Sequence, residues 1–414
     1  MSRAAKNKLQ NFLIVLLSVT AVLLFLQNRR LTHGDGGLLS RLFADPGTAI
    51  ADSAGPAEIA ALPLRFAASG DYAAYGSLGM TTADEAFSSP GSLLREALGS
   101  ASGRQTADEG DFLAALDSTS LYYDFLTVLP ASLLGWHLDC EVPQGLEQVR
   151  YLLLSVQGGS VVLFCGDGEH DLRCQTKVSA SDLTALVNSR ELPGVVFAGQ
   201  LSQAEGLSPL SLLPSEEVSL PQLSAASCAA ESALWNLLGF NPRTNNYYLE
   251  SDGTQVILEG ESTLRLRPGS VIRYEGRGLS LSDQGSFSDA GDAVEAGGRF
   301  LSALLQGCGS GTGLLLRQVQ ATADGWTMDF DYHAGGYPII RSGSGAAMAS
   351  LTLRGTEVAE LELTLRRYTV TEENSPLLPL TQALAIARRY AGAEVSLGYL
   401  DGGGDTLSAS WLAE

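Results

Sequence analysis

The chain has 414 residues, 45% of them hydrophobic and 17% charged, a balance that supports packed cores rather than disorder. Its 46 acidic residues outnumber 26 basic ones, for a net charge of −20. Five of the bases precede Asp35, the first acid, so residues 31–414 hold 46 acids against 21 bases, a net −25. Such a surface repels nucleic acid and anionic lipid headgroups, which argues against DNA or RNA binding.

Residues 1–8 form a basic tail carrying Arg3, Lys6 and Lys8, and Leu9 to Leu26 form an uncharged apolar run closed by Arg29 and Arg30. Eighteen helical residues span about 27 Å, close to the hydrocarbon thickness of a bilayer. A cleaved signal peptide is the rival reading, but the run ends Leu26-Gln27-Asn28-Arg29-Arg30, without a small-residue cleavage site. We therefore expect a retained transmembrane helix over 9–26. Three cations and the α-amine precede it and two cations follow, which favours a cytoplasmic N-terminus and an extracytoplasmic bulk. Ser18, Thr20 and Ala21 offer small or hydroxylated side chains for contact with another membrane helix, or else face lipid.

Residues 27–60, rich in Gly, Ala, Asp and Pro, read as a juxtamembrane linker. An N-terminal α/β-type domain is expected over 61–200. It holds short helices at Ser92–Leu98, Asp111–Leu116 and from Leu129-Pro130 to Leu134, and a strand at Leu121–Phe125. Strands Tyr151–Val156 and Val161–Cys165 meet through Gln157-Gly158-Gly159-Ser160, a hairpin signal, and Ser181 caps a helix to Val187. Residues 201–228 read as a connector.

A middle β-rich domain is expected over 229–291, after a helix from Ala229 to Leu238 that stops at Gly239. Tyr247–Glu250, the turn Ser251-Asp252-Gly253 and Thr254–Leu258 spell a hairpin. Leu264–Leu266, Arg267-Pro268-Gly269-Ser270 and Val271–Tyr274 spell a second. A C-terminal α+β domain is expected over 292–414, opening with a helix from Asp292 to Gln306 that Gly297 and Gly298 weaken. Trp326, Met328, Phe330 and Tyr332 alternate with polar residues, as do Ala359, Leu361, Leu363 and Leu365; each pattern fits an antiparallel strand with one buried face. A helix from Leu380 to Tyr390 and strands Val395–Leu400 and Thr406–Leu412 complete the chain. The fold class is α+β: a single N-terminal transmembrane helix followed by domains of antiparallel sheets with covering helices.

The residues that could carry chemistry are few. Only Lys177 among the lysines lies beyond the apolar run, which leaves lysine-dependent catalysis little room. No metalloprotease, nucleophile-elbow, phosphate-loop, C-x-x-C or calcium-loop pattern occurs. The stretch Gly307–Gly313 follows a helix instead of preceding one, so it reads as a connector. Among the histidines, His33 falls in the linker, His333 in a turn, and His137 in an apolar stretch. Asp329 with Asp331 and Glu360 with Glu362 share strand faces and read as wet sides. Tyr247, Tyr248 and Trp411 read as core aromatics, with interface contact as the alternative. Cys165 and Cys174 flank a loop containing His170. A cross-strand disulfide, a metal site without a zinc spacing, and two plain strand thiols are all open there. No catalytic residue, cofactor or metal is assigned.

The layout resembles the YycH regulatory family and, more loosely, its shorter relative YycI. The resemblance rests on Asn246-Tyr247-Tyr248-Leu249-Glu250-Ser251-Asp252-Gly253-Thr254, Thr263–Leu266, Gly269–Tyr274, Phe330–Ile339 with its Gly-x-Pro turn, and Leu121–Leu134. The end Ser410–Glu414 looks curtailed beside the family's last sheet. The resemblance implies a non-enzymatic regulator of an essential cell-envelope sensor histidine kinase of Gram-positive bacteria. Such a protein acts through membrane-helix contacts and through a YycI-like partner outside the cell. An anchored binding module for a peptide or envelope component is the alternative, and an envelope hydrolase a third.

Overall fold

The computed structural model describes residues 61–413, apart from 71–72, 168–170, 190–191, 229–231, 242–246, 309–312 and 344. The apolar run 9–26, with Ser18, Thr20 and Ala21, lies outside the described residues, as do His33 and His170. Among the described residues no helix is long and apolar enough to cross a membrane.

The first nine strands are β1 (Pro63–Ser69), β2 (Ala74–Thr81), β3 (Ser102–Ala107), β4 (Ser120–Pro130), β5 (Gln148–Gln157), β6 (Ser160–Gly166), β7 (Asp171–Gln175), β8 (Gly194–Phe197) and β9 (Leu212–Pro214). They form one antiparallel sheet in the order β3-β7-β6-β5-β4-β1-β2-β8-β9. Four helices accompany it: α1 (Ser88–Ser100), α2 (Glu109–Leu116), α3 (Ala131–Leu138) and α4 (Ala180–Val187). Helix α2 starts at a capping box, in which Asp108 Oδ1 accepts the Asp111 N–H at 2.8 Å and Asp111 Oδ2 accepts the Asp108 N–H. Phe112 of α2 covers Tyr122, Leu153 and Phe164 on one face, while Leu94, Leu134 and Leu183 of the other helices cover Tyr123, Leu152 and Leu163. Both faces of β4, β5 and β6 are therefore buried, which explains why these strands read as continuous apolar runs. The expected α/β-type domain is thus an antiparallel sheet, and it runs past residue 200 into the expected connector.

The remaining strands are β10 (Pro221–Ser227), β11 (Tyr247–Leu249), β12 (Gln255–Glu259), β13 (Ser262–Arg267), β14 (Val271–Glu275), β15 (Leu314–Ala321), β16 (Gly325–Ala334), β17 (Tyr337–Arg341), β18 (Ala349–Arg354), β19 (Glu357–Thr364), β20 (Arg366–Asn374), β21 (Val395–Asp401), β22 (Thr406–Leu407) and β23 (Ala409–Ala413). Strand β10 lies between β20 and β22 in a small sheet. The others build one sheet in the order β11-β12-β13-β14-β19-β18-β16-β17-β21-β23, with β15 also on β16. All its pairings are antiparallel except β17 with β21. Because β14 pairs with β19 from Val271↔Thr364 to Glu275↔Glu360, the expected middle and C-terminal domains share a single sheet.

Helices α5 (Ser232–Leu237), α6 (Ala290–Leu305) and α7 (Leu380–Ala387) belong to this half. The two glycines in α6 have a packing reason. A Cβ at Gly297 would lie 2.9 Å from Met328 Cε and 3.0 Å from Leu351 Cδ2, so glycine is what lets the helix settle on the sheet.

Two close approaches join the halves. Trp136 of α3 lies over Gly291 of α6, where a Cβ would be 2.3 Å from the indole Cγ. The β16–β17 turn docks on β2: Gly336, at φ +81°, leaves no room for a Cβ beside Met80 N, and Gly79 lies under the Tyr337 ring. One apolar core runs through the junction, with Leu134 and Leu138 from one half and Val294 and Leu301 from the other.

Candidate functional site

A cluster of four charges occupies the junction of the sheets. Register places the first two side by side: Arg65 of β1 is opposite Asp124 of β4. Beyond Asp124 the β4–β5 register slips until Leu129, and this bulge holds Leu126 at φ +64°. The Leu126 N–H donates to Asp124 Oδ1 at 2.9 Å. The Asp124 carboxylate also meets Arg150 Nε at 3.2 Å and Arg65 Nη1 at 3.5 Å. Glu394, just before β21, reaches across from the other half and accepts hydrogen bonds from Arg65 Nη1 at 2.5 Å and from Arg150 Nη2.

Two guanidiniums and two carboxylates balance to zero, as burial of charge requires. Burial opposes the charge on Arg65, but Asp124 and Glu394 outweigh it and raise its pKa. Burial likewise opposes ionisation of Glu394, yet Arg65 and Arg150 hold it below the usual carboxylate range. Asp124 goes the other way: burial, then the neighbouring Glu394 charge, push its pKa up.

Next to the cluster is a cavity of about 200 Å³. Arg65, Leu126 and Thr127 line it from one sheet; Arg317, Asp331 and Ser396 line it from the other. Arg317 falls where the β15–β16 register slips between Leu316 and Gln318, and its Nη1 lies 3.4 Å from Asp331 Oδ2. Asp331 Oδ1 accepts the Met348 N–H at 3.1 Å. A bulge with a positive φ, a buried charge cluster and a cavity thus coincide, and strained, charged clefts are where binding sites concentrate. Chemically, the arrangement holds charge: guanidiniums stay protonated, and each carboxylate faces at least one of them.

Asp331, read as wet, is buried by the Arg317 bulge and the approach of Met348, whereas Glu360 is exposed and Glu362 pairs with Arg341 at 3.5 Å. Tyr247 and Tyr248, read as core, are about half exposed, because β11 ends its sheet. Trp411 is half-buried and its indole N–H donates to the Leu378 carbonyl at 2.8 Å. His137 is half-buried, and burial lowers its pKa; His333 Nδ1 accepts the Gly336 N–H.

Cys165 and Cys174 do not form a disulfide. Cys165 is opposite Leu172 and Cys174 opposite Leu163, so the thiols lie diagonally, and both are free and buried. Burial pushes the Cys165 thiol up to about 12 and raises Cys174 as well. The disulfide joins Cys228, after β10, to Cys308, after α6, with the Cα atoms 5.4 Å apart. Eighty residues separate the two in sequence, and no local spacing signals the pair. Among the described residues no three His, Cys, Asp or Glu side chains gather to hold a metal ion. The four-charge cluster also escaped sequence reading, since its members come from four distant segments. No family model matches the chain, and neither does any curated protein or solved structure.

Proposed function

We propose that the chain is a non-enzymatic, single-pass regulator that modulates a sensor histidine kinase through transmembrane and extracytoplasmic contacts, together with a YycI-like partner. Its N-terminus is then cytoplasmic and its bulk outside the cell. The observation that carries this reading is the uncharged run Leu9–Leu26, fenced by cations and followed by a strongly acidic body. The Cys228–Cys308 disulfide supports it, because such bonds persist in oxidising compartments. The stretches that resemble the YycH family support it too: the hairpins β11–β12 and β13–β14 and the β16–β17 turn belong to one sheet. A kinase with two states responds to such a protein only through unequal affinity for those states. The experiment replaces Leu9–Leu26 with an unrelated membrane helix and reads a cell-wall reporter. Altered output at equal expression supports helix-mediated control, and unchanged output overturns it.

A second reading, an anchored binding module for a peptide or envelope component, is favoured by the exposed strand at the sheet end and the cavity at the junction. Crosslinking in native membranes separates the two: capture of a kinase supports the first, and its absence alongside a retained peptide supports the second.

A further inference from the structure

Strand β11 closes one end of the C-terminal sheet, and among the described residues no strand pairs with its outer side. Its three residues are unusually bare: Tyr247 is 52% exposed, Tyr248 49% and Leu249 68%. The hairpin register fixes which backbone groups are free. Tyr247 is opposite Ile257, Tyr248 opposite Val256 and Leu249 opposite Gln255, and the Glu250 N–H donates to the Thr254 carbonyl at 2.9 Å. Hydrogen-bonded pairs alternate along an antiparallel ladder, so Tyr248 bonds to Val256 while the N–H and C=O groups of Tyr247 and Leu249 point outward. Natural sheets blunt such edges by keeping them very short or with lysine, proline or a bulge; β11 is short, at three residues, and has none of the other devices.

The charges around the edge choose the occupant. Glu250 and Asp252 lie in the turn at one end of β11; at the other, Glu259 ends β12, its carboxylate accepting the Asn241 N–H at 2.8 Å, and Glu261 lies in the β12–β13 turn. Arg277 pairs with Glu261, Arg265 with Glu275 and Arg267 with Glu362, each at 3.8 Å, so among the described residues Glu250, Asp252 and Glu259 are the carboxylates of this edge outside an ion pair. We propose that β11 is the docking edge for an extended, positively charged segment of a partner protein, which joins the sheet as an added strand. Its backbone bonds to Tyr247 and Leu249, its apolar side chains cover the exposed aromatics, and its basic residues meet the acidic turns. A second copy of this chain fits badly. Antiparallel pairing of β11 with itself sets the Glu250–Asp252 end of one copy against the Glu259–Glu261 end of the other, carboxylate against carboxylate. The inference names the partner chemistry of the extracytoplasmic contacts and rests on the reading that the chain works by binding.

The probe is the synthetic peptide Lys-Lys-Val-Tyr-Val-Lys-Lys, titrated into the detergent-solubilised full chain, with affinity read by anisotropy and hydrogen exchange read over Tyr247–Glu250. The expected result is binding that slows exchange at Tyr247 and Leu249. N-methylation of alternate peptide bonds, Leu249→Pro, or Glu250→Lys with Asp252→Lys should each weaken it by about tenfold or more. Leu249→Lys is the second variant, read in place of Leu249→Pro if the proline lowers the melting temperature. Three outcomes overturn the proposal: no protection of the edge amides, equal binding of the N-methylated peptide, or equal binding of a peptide with glutamates for lysines. Edge protection in the free chain that grows with protein concentration also overturns it and assigns the edge to a second copy. The membrane-helix exchange leaves β11 intact and is read in cells, so failure there and failure here are distinguishable.

Discussion

Arg65 and Glu394 are 329 residues apart in sequence, yet the guanidinium Nη1 lies 2.5 Å from the carboxylate Oε1. This contact fastens β1 of the first sheet to the start of β21 in the second, and Arg150 and Asp124 complete the charge balance around it. Removing Glu394 leaves the buried Arg65 and the half-buried Arg150 sharing one carboxylate. Glu394→Gln is therefore expected to lower the unfolding free energy by about 3 kcal/mol at neutral pH, read by urea titration. The pH dependence follows from the two opposite shifts. Glu394 has a depressed pKa in the fold, so its contribution is present above its ordinary value of 4.5 and is lost as pH falls through the lower folded value. Asp124 has a raised pKa, so its ionisation costs stability as pH rises through that value. On acidification stability should hold or rise slightly, then fall below about pH 4.5, and Glu394→Gln should flatten the acidic fall.

Trp136 and Gly291 make the helical half of the junction. A side chain at Gly291 meets the indole at a distance no real Cβ tolerates. Gly291→Leu should force α3 and α6 apart and cost about 1–3 kcal/mol. The checks are a lowered melting temperature and faster hydrogen exchange in both helices. Gly99, where a Cβ meets nothing within 4 Å, is the control: Gly99→Ala should leave both readings unchanged or improved.

These junction contacts mark the limit of what was legible in the sequence. Local chemistry wrote the hairpins plainly. Asp252-Gly253 turns β11 into β12 with Gly253 at φ +85°, and Pro268-Gly269 turns β13 into β14 with Gly269 at φ +84°. The alternation from Trp326 to Tyr332 is strand β16, with Met328, Phe330 and Tyr332 buried as read. What failed to show was set by tertiary contact. Asp331 looks like any polar residue on a wet face until the Arg317 bulge turns toward it. The domain boundary near residue 291 disappears because β14 finds its partner in β19, almost ninety residues later. The Cys228–Cys308 pair and the Arg65–Asp124–Arg150–Glu394 cluster join segments that share no sequence pattern at all.

Leu126 lines the cavity in a left-handed conformation that costs a non-glycine residue about 1–3 kcal/mol. Leu126→Gly removes that strain but frees the unfolded chain by about 1 kcal/mol and trims a half-buried side chain. The effects nearly cancel, and the variant should unfold within about 1 kcal/mol of the parent. Leu129→Gly, at the buried end of the same bulge, should cost more than about 3 kcal/mol. Parallel denaturant titrations check the contrast, and equal losses at both positions would show that Leu126 stores no strain.

The Cys228–Cys308 bond closes a long loop that contains β11 to β14 and α6. In the chain-entropy account, a loop of this size restricts the unfolded state by about 4 kcal/mol. Cys228→Ser with Cys308→Ser, or reduction by dithiothreitol, should therefore lower stability by about that amount, with urea titration as the measurement. Thiol labelling under native, non-reducing conditions should modify half-buried Cys140 and spare Cys165 and Cys174, which are shielded by the sheet. After reduction and unfolding all five cysteines should label. If reduction leaves the denaturation midpoint unmoved while peptide mapping shows the bond present beforehand, the loop is held by packing alone. The continuous core that joins α6 to β16 and β18 would then carry the stability expected of the crosslink.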